Sequence, residues 1–298
     1  MGISIEEAVA ADRWTDTELA HAPAGQRGEP NGQRAGLLVR AVQRDVVPRL
    51  LIAHRVAPAV IGVPIFGEPE IGRLTSLVLA EDRAAQADLL GGLRARGASI
   101  EHLYLSLLAP VARRLGVMWE QDLCGFAEVT LGVWQLQGIL RDLGRIATPH
   151  RPMAQIGRVL LLPIPGEQHT FGLSMVAEFF SRAGWQVAAG LFTSAAELVA
   201  ALRHDRFDCV GISSGCSDHV EDITTTVRAI RHRAAPPLPW IMVGGAIFIA
   251  HPELASAVGA DATAADGREA AAKANIVLAL RRGPGRGGAA NDERNGLG

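Results

Sequence analysis

The stretch VLLLPIPGEQHTFGLSMVAEFFSRA, residues 159–183, decides the fold. A solid apolar run, Val159–Leu162, ends at a Pro-Gly turn signal, and a helical pattern over Thr170–Ala183 starts directly behind it. The alternation repeats downstream. Val187–Leu191 precedes a helical Ala195–Arg203, and Cys209–Ile212 precedes a helix from about Asp218 to His232. Trp240–Val243 then precedes a closing helix near Glu269–Leu280. Solid apolar strands separated by helices belong to a parallel sheet covered on both faces. Residues 155–282 are therefore predicted to form an α/β domain, a doubly wound, Rossmann-like parallel sheet.

The region before it has a different period. Over residues 37–147 the pattern is helical throughout, with Pro48 interrupting Leu37–His54. A helix starting at Ser99 places Leu103, Leu107, Leu108 and Val111 in one stripe. A further helix, about Phe126 to Ile146, does the same with Val129, Val133, Leu136 and Leu140. Helices of this length with short connections predict a small bundle, with Trp134 in its core. Residues 1–36 read as a flexible N-terminal segment, rich in Gly and Pro from 20 to 36. Residues 147–155 read as the interdomain connection and 283–298 as a disordered tail.

Composition excludes several classes. The 298 residues are 48% hydrophobic and 20% charged, which suits folded domains and not a disordered or fibrous chain. Lys and Arg total 29 against 31 Asp and Glu, so a net charge of −2 provides no global attraction to nucleic acid. The three cysteines, Cys124, Cys209 and Cys216, lack a CxxC spacing, which argues against a disulfide scaffold or a structural zinc site. The acidic start MGISIEEAVAADRW is unlike a signal peptide, and no run reaches the 18 or so apolar residues that span a bilayer. The chain reads as cytoplasmic, with no membrane partner.

In such a sheet, ligands bind beyond the carboxyl ends of the strands. After the first strand come Glu167, His169, Thr170, Phe171 and Gly172; after the third, Ser213, Ser214 and Gly215; after the fourth, Gly244 and Gly245. The first loop is neither a GxGxxG fingerprint nor a P-loop. It offers an imidazole with a carboxylate two residues before it. A metal-bound His commonly donates its other ring N–H to a carboxylate, a part Glu167 can take for His169. One His cannot hold a bare ion, so the metal has to arrive in a prebuilt macrocycle.

Glu167-x-His169-x-x-Gly172, Ser213 and Gly244-Gly245 resemble the Asp-x-His-x-x-Gly, Ser, Gly-Gly pattern of cobalamin-binding domains, with Glu in place of Asp. The resemblance implies base-off binding: the nucleotide tail of cobalamin threads into the sheet, and His169 becomes the lower axial cobalt ligand. Gly172 then keeps the helix start open to the tail, Ser213 hydrogen-bonds it, and Gly244-Gly245 leave it backbone room. The helical region extends the likeness. Val111–Trp119, Val129-Thr130 and the loop PGEQHTFGLSMVAEFF resemble the AerR/PpaA family, cobalamin-dependent regulators of photosynthesis genes that act on the repressor CrtJ/PpsR. The likeness implies a light-responsive antirepressor and not an enzyme, with Trp119 on the upper corrin face. Val129-Thr130 replace the Glu-His pair of related photoreceptors, which implies hydroxocobalamin.

Other readings stand beside these. His54 is a candidate upper axial ligand or a helix-surface residue. Ser213 either closes its strand or meets the tail. His102, His150, His204, His219, His232 and His251 have no convergent partners and read as solvated. Cys209 reads as a buried small hydrophobe. Arg40, Arg44, Arg49 and Arg55 form a solvated face or a weak contact for DNA or an acidic partner. The alternative functions are a corrinoid methyl carrier of a methyltransferase system and a haem-binding sensor with His169 as ligand.

Overall fold

The computed structural model describes residues 66–147, 155–167, 169–234 and 236–282. The segment 1–36, the start of the helical region with His54 and its arginines, His150 in the connection, and the tail from 283 lie outside the described residues.

The helical region begins with α1 (Glu68–Leu79), where Glu70 accepts the N–H of Gly67 at 3.0 Å and satisfies one orphan donor of the first turn. In α2 (Arg83–Ala95), Asp82 caps the N–H of Ala85 at 3.0 Å. Ser99 starts α3 (Ile100–Leu103) as expected, accepting the N–H of His102 at 3.1 Å. A π-helical stretch, Tyr104–Leu108, then leads into α4 (Ala109–Glu120). The widened turn has a cause in Pro110. Its ring crowds the carbonyl four residues back, and the ladder shifts so that Ala109 N–H donates to Tyr104 O. Leu103, Leu107, Leu108 and Val111 are each 0% exposed, so the stripe read from the sequence is the bundle core. The last and longest helix, α5 (Phe126–Ala147), crosses α1 and α4 at Gly132. A Cβ there would stand 3.0 Å from Leu115 Cδ1 and 3.3 Å from Val78 Cγ1. Trp134 departs from expectation: it lies beside the buried stripe and is 50% exposed, under the Arg83 guanidinium 4.9 Å from its ring centroid.

Strands β1 (Gly157–Pro163), β2 (Trp185–Ala189), β3 (Cys209–Ser213), β4 (Trp240–Gly244) and β5 (Ala262–Thr263) form one parallel sheet in the order β2-β1-β3-β4-β5. The pleat divides the core. Val159, Leu161, Cys209 and Met242 pack beneath α6 (Phe171–Arg182) and α11 (Gly267–Arg282), in one apolar cluster with the bundle. Leu160, Leu162, Val210 and Ile212 pack on the other face against α7 (Ala195–His204) and α8 (Val220–Arg233). The short α9 (Ala246–Ala250) and α10 (Leu254–Ala257) close that face. Helices on both faces of a parallel sheet make the doubly wound, Rossmann-like fold. Cys209 is 1% exposed, and burial pushes its thiol up, as a small hydrophobe.

Bundle and sheet meet along α6. Phe179 sits edge-on to Tyr104 with centroids 5.9 Å apart, and Arg182 pairs with Glu101 at 3.5 Å. The helix that follows the His169 loop is therefore also the one that grips the bundle. No helix among the described residues is long and apolar enough to cross a membrane.

Candidate functional site

Strands β1 and β3 are neighbours, yet the chain leaves β1 toward the β2 edge and leaves β3 toward β4. Their carboxyl ends border the crevice at the topological switch point. Pro165-Gly166 makes the turn out of β1, closed by Glu167 N–H to Ile164 O at 3.0 Å. Gly166 takes φ +90°, which a residue carrying a Cβ rarely adopts.

The turn drops Glu167 inward and lifts His169 out, with side chains 3% and 84% exposed. Glu167 Oε1 accepts the His169 backbone N–H at 2.8 Å and lies 2.6 Å from His169 Nδ1. Its Oε2 accepts the N–H of Gly215 at 2.6 Å. The longer Glu side chain thus reaches both strand ends. Burial works against the Glu167 charge, but the amides of Gly215 and His169 and the His169 ring outweigh it and hold the carboxyl below its ordinary range. A carboxylate at Nδ1 selects the tautomer with hydrogen on that nitrogen and directs the lone pair of Nε2 to the exposed edge. Among the described residues no group of His, Cys, Asp and Glu could hold a bare metal ion. A metal brought by its own macrocycle and lacking one axial ligand fits this imidazole.

Beside it the strand ends leave open positions. Register aligns Pro163, Ser213 and Gly244 at the rim. The pleat turns Ser213 toward the α6 and α11 face, as it does Cys209 and Gly211. The Ser213 hydroxyl has no hydrogen-bond partner among the described residues, and a Cβ on Gly244 or on Gly172 would meet nothing within 4 Å. Ser213 and Gly244 are thus open neighbours on the rim, and Gly172 is open at the start of α6. Four others do not meet open space. Ser214 is 0% exposed, and its hydroxyl donates to Cys216 O at 3.1 Å, so it shapes its loop instead of facing a ligand. Gly245 has φ +105°, and a Cβ there would overlap the Ser214 carbonyl; it permits a close backbone approach. Phe171 is 8% exposed in the core and anchors α6, while Thr170 caps that helix, its carbonyl accepting Ser174 N–H at 2.9 Å.

No hydrogen bond, ion pair or ring contact among the described residues links Trp119, Val129 or Thr130 to this rim. Val129 is half-buried against the bundle core, and Thr130 bonds its own helix through Phe126 O at 2.7 Å. Trp119 lies four and eight residues beyond Leu115 and Val111, both 0% exposed, but is itself 49% exposed. It continues the core stripe past the point where the bundle covers it. Two histidines read as solvated are not. His102 packs on Phe66 with ring centroids 4.6 Å apart. His219 is half-buried beside Gly166, whose Cβ would stand 3.6 Å from His219 Cε1, and its Nδ1 is buried without a partner. Only the pairing of β1 with β3 brings His219 there, and no spacing in the sequence signals it.

The B12 binding domain family model matches residues 157–274. A relative from Rhodobacter capsulatus, the uncharacterized 20.5 kDa protein in the bchF-crtJ intergenic region, is 30% identical over 174 residues, 58% of this chain and 90% of the relative. Among solved structures, the Methanosarcina barkeri monomethylamine corrinoid protein superposes with a TM-score of 0.57 at 15% identity, over 71% of this chain and 98% of that one. At that identity the likeness speaks for the fold. A cobalamin-binding protein from Desulfitobacterium hafniense DCB-2 is more distant, with a TM-score of 0.38 at 13% identity over 70% of this chain and 98% of that one. A match that runs through 90% of the intergenic-region protein, together with a sheet domain that the B12 binding model recognises, makes the chain a member of the AerR/PpaA family of cobalamin-binding proteins.

Proposed function

We propose that the chain binds cobalamin base-off, with His169 Nε2 as lower axial ligand, and acts as a light-responsive antirepressor on a CrtJ/PpsR-like repressor of photosynthesis genes. The observation that carries the reading is the exposed imidazole backed by a buried, ionised Glu167 at 2.6 Å, on a rim where Ser213 stands level with Gly244 and a Cβ on Gly244 or Gly172 would meet nothing within 4 Å. Glu167 fixes the ring and raises its basicity. Ser213 and the glycines take the nucleotide tail, and Trp119 lies over the upper face. Cobalamin, when bound, would supply a cobalt whose ligand on the side away from His169 can be exchanged in response to light. Val129 and Thr130 offer no strong ligand at that face, which supports hydroxocobalamin as the form bound.

The chain's own part is to convert a ligand change into a bias between two bundle arrangements, for which a few kcal/mol suffice. Helix α6 is the physical link, since the His169 loop leads into it and its far end touches Tyr104 and Glu101. The net charge of −2 favours output through a protein partner over direct DNA contact. Illumination is expected to shift the visible spectrum of the loaded protein and to change its capture by a PAS-type repressor. A light-inert spectrum overturns photoreception; equal capture by apo-protein overturns the regulatory coupling.

A methyl-carrying corrinoid protein is the second reading, supported by the fold it shares with the monomethylamine corrinoid protein. It predicts transfer of a methyl group from methylcobalamin-loaded protein to a thiol acceptor in the presence of a methyltransferase.

A further inference from the structure

Two large apolar side chains on the carboxyl rim of the sheet face solvent: Leu191 is 81% exposed and Ile249 is 56% exposed. A single exposed leucine is ordinary. These two stand on backbone that is held in place. Beyond β2, Gly190 N–H donates to Leu161 O at 3.1 Å, and Phe192 folds back over the position a Gly190 Cβ would take and packs into the core under α7 and α8. Thr193 N–H and Oγ1 then hold Glu197 Oε2 at 2.8 and 2.9 Å, and Ser194 caps α7. Beyond β4, Phe248 is 1% exposed and Ile247 packs on the same core, so α9 is pinned immediately before Ile249. In each place an adjoining aromatic, Phe192 or Phe248, packs on the core while the aliphatic residue beside it turns outward.

Their placement is informative. The strand order sets Leu191 beyond β2 and Ile249 beyond β4, with the Glu167, His169 and Gly215 cluster on β1 and β3 between them. At about 4.8 Å per strand, β2 and β4 are about 14 Å apart, a span that a flat macrocycle centred on His169 crosses. We propose that Leu191 and Ile249 are apolar shoulders that carry opposite edges of the corrin ring. The proposal rests on the cobalamin reading above and adds two residues that act on the ring and not on the nucleotide tail.

The test is the affinity of Leu191→Ser, Ile249→Ser and the double variant for hydroxocobalamin and for cobinamide, which lacks the tail, followed in the dark by tryptophan quenching. Each single variant is expected to bind both probes about fivefold more weakly and the double variant about twentyfold. Both positions are solvent-facing, so unfolding midpoints stay put, and Leu191→Met retains wild-type affinity. Wild-type affinity of the double variant for both probes overturns the proposal, as does a loss confined to hydroxocobalamin, which would place the residues on the tail. Weaker binding by His169→Ala beside an unchanged double variant overturns the shoulders and leaves the ligand assignment standing. Failure of the wild-type protein to bind either probe overturns both.

Discussion

The rim of the sheet and the free end of the bundle are built in opposite ways. At the rim, the charge of Glu167 is 3% exposed and satisfied by three donors. Gly166 and Gly245 sit at positive φ that permits the turns to close. At the bundle end, Trp119 extends a stripe of fully buried residues yet stays 49% exposed, near Leu123 and Phe126 at 66% and 71%. The rim is thus closed by its own groups, whereas the described residues at the bundle end present apolar surface.

Substitutions can break this comparison. The largest effect is expected at Gly245→Ala. A Cβ would overlap the Ser214 carbonyl at a backbone φ of +105°, and the loss should reach about 3 kcal/mol in urea unfolding. A change below 1 kcal/mol would mean that the rim is not rigid. Gly132→Ala at the bundle crossing tests the same quantity in the softer region. Leu115 and Val78 side chains can give there, and a loss of about 1 kcal/mol is expected.

Glu167→Gln retains the shape and removes the charge. Partners that orient a metal-ligating His typically contribute 10- to 100-fold in affinity, so hydroxocobalamin binding should fall about tenfold or more with the fold intact. Trp119→Ala should behave in the reverse way. Apo stability should change by less than about 1 kcal/mol, because the ring is half exposed, while the thermal stabilisation gained on adding hydroxocobalamin shrinks. Equal stabilisation of both proteins would remove Trp119 from the upper face.

The smallest effect is one of pH. Glu167 has its folded-state pKa depressed, so its contribution is fully present above the unfolded value near 4.3 and is lost only as pH falls through the lower folded value. The Gly215 amide, which donates to Glu167, should therefore keep its NMR shift down to about pH 4. Titration of that amide between pH 5 and 6 would contradict the hydrogen bonds described.

Much of this is legible in the sequence because the signals are short-range. Leu103 to Val111 declare a helix face by spacing alone, and the carboxylate two residues before His169 declares its partner. The longer-range facts are not. The apolar run Val187–Leu191 sets strand β2 two residues late, because Leu191 extends the run past Gly190, where the chain turns out of the ladder. Strand β5 is only Ala262–Thr263, too short and too small in side chains to register as a strand. Trp134 resembles a core residue because a propensity for burial says nothing of a neighbour such as Arg83. The separate parts played by Gly244 and Gly245 depend on which backbone lies opposite, and only the pairing of β3 with β4 supplies that.

The most direct test uses the electron spin of cob(II)alamin. Protein loaded with hydroxocobalamin and reduced by one electron in the dark should give a cob(II)alamin EPR spectrum split by one axial nitrogen, three lines per cobalt component. Labelling histidine with nitrogen-15 should convert these to two, and His169→Ala should abolish the change. A splitting indifferent to the label in the wild-type protein, or a label-dependent splitting that survives in His169→Ala, would mean that the cobalt is held by something other than this imidazole.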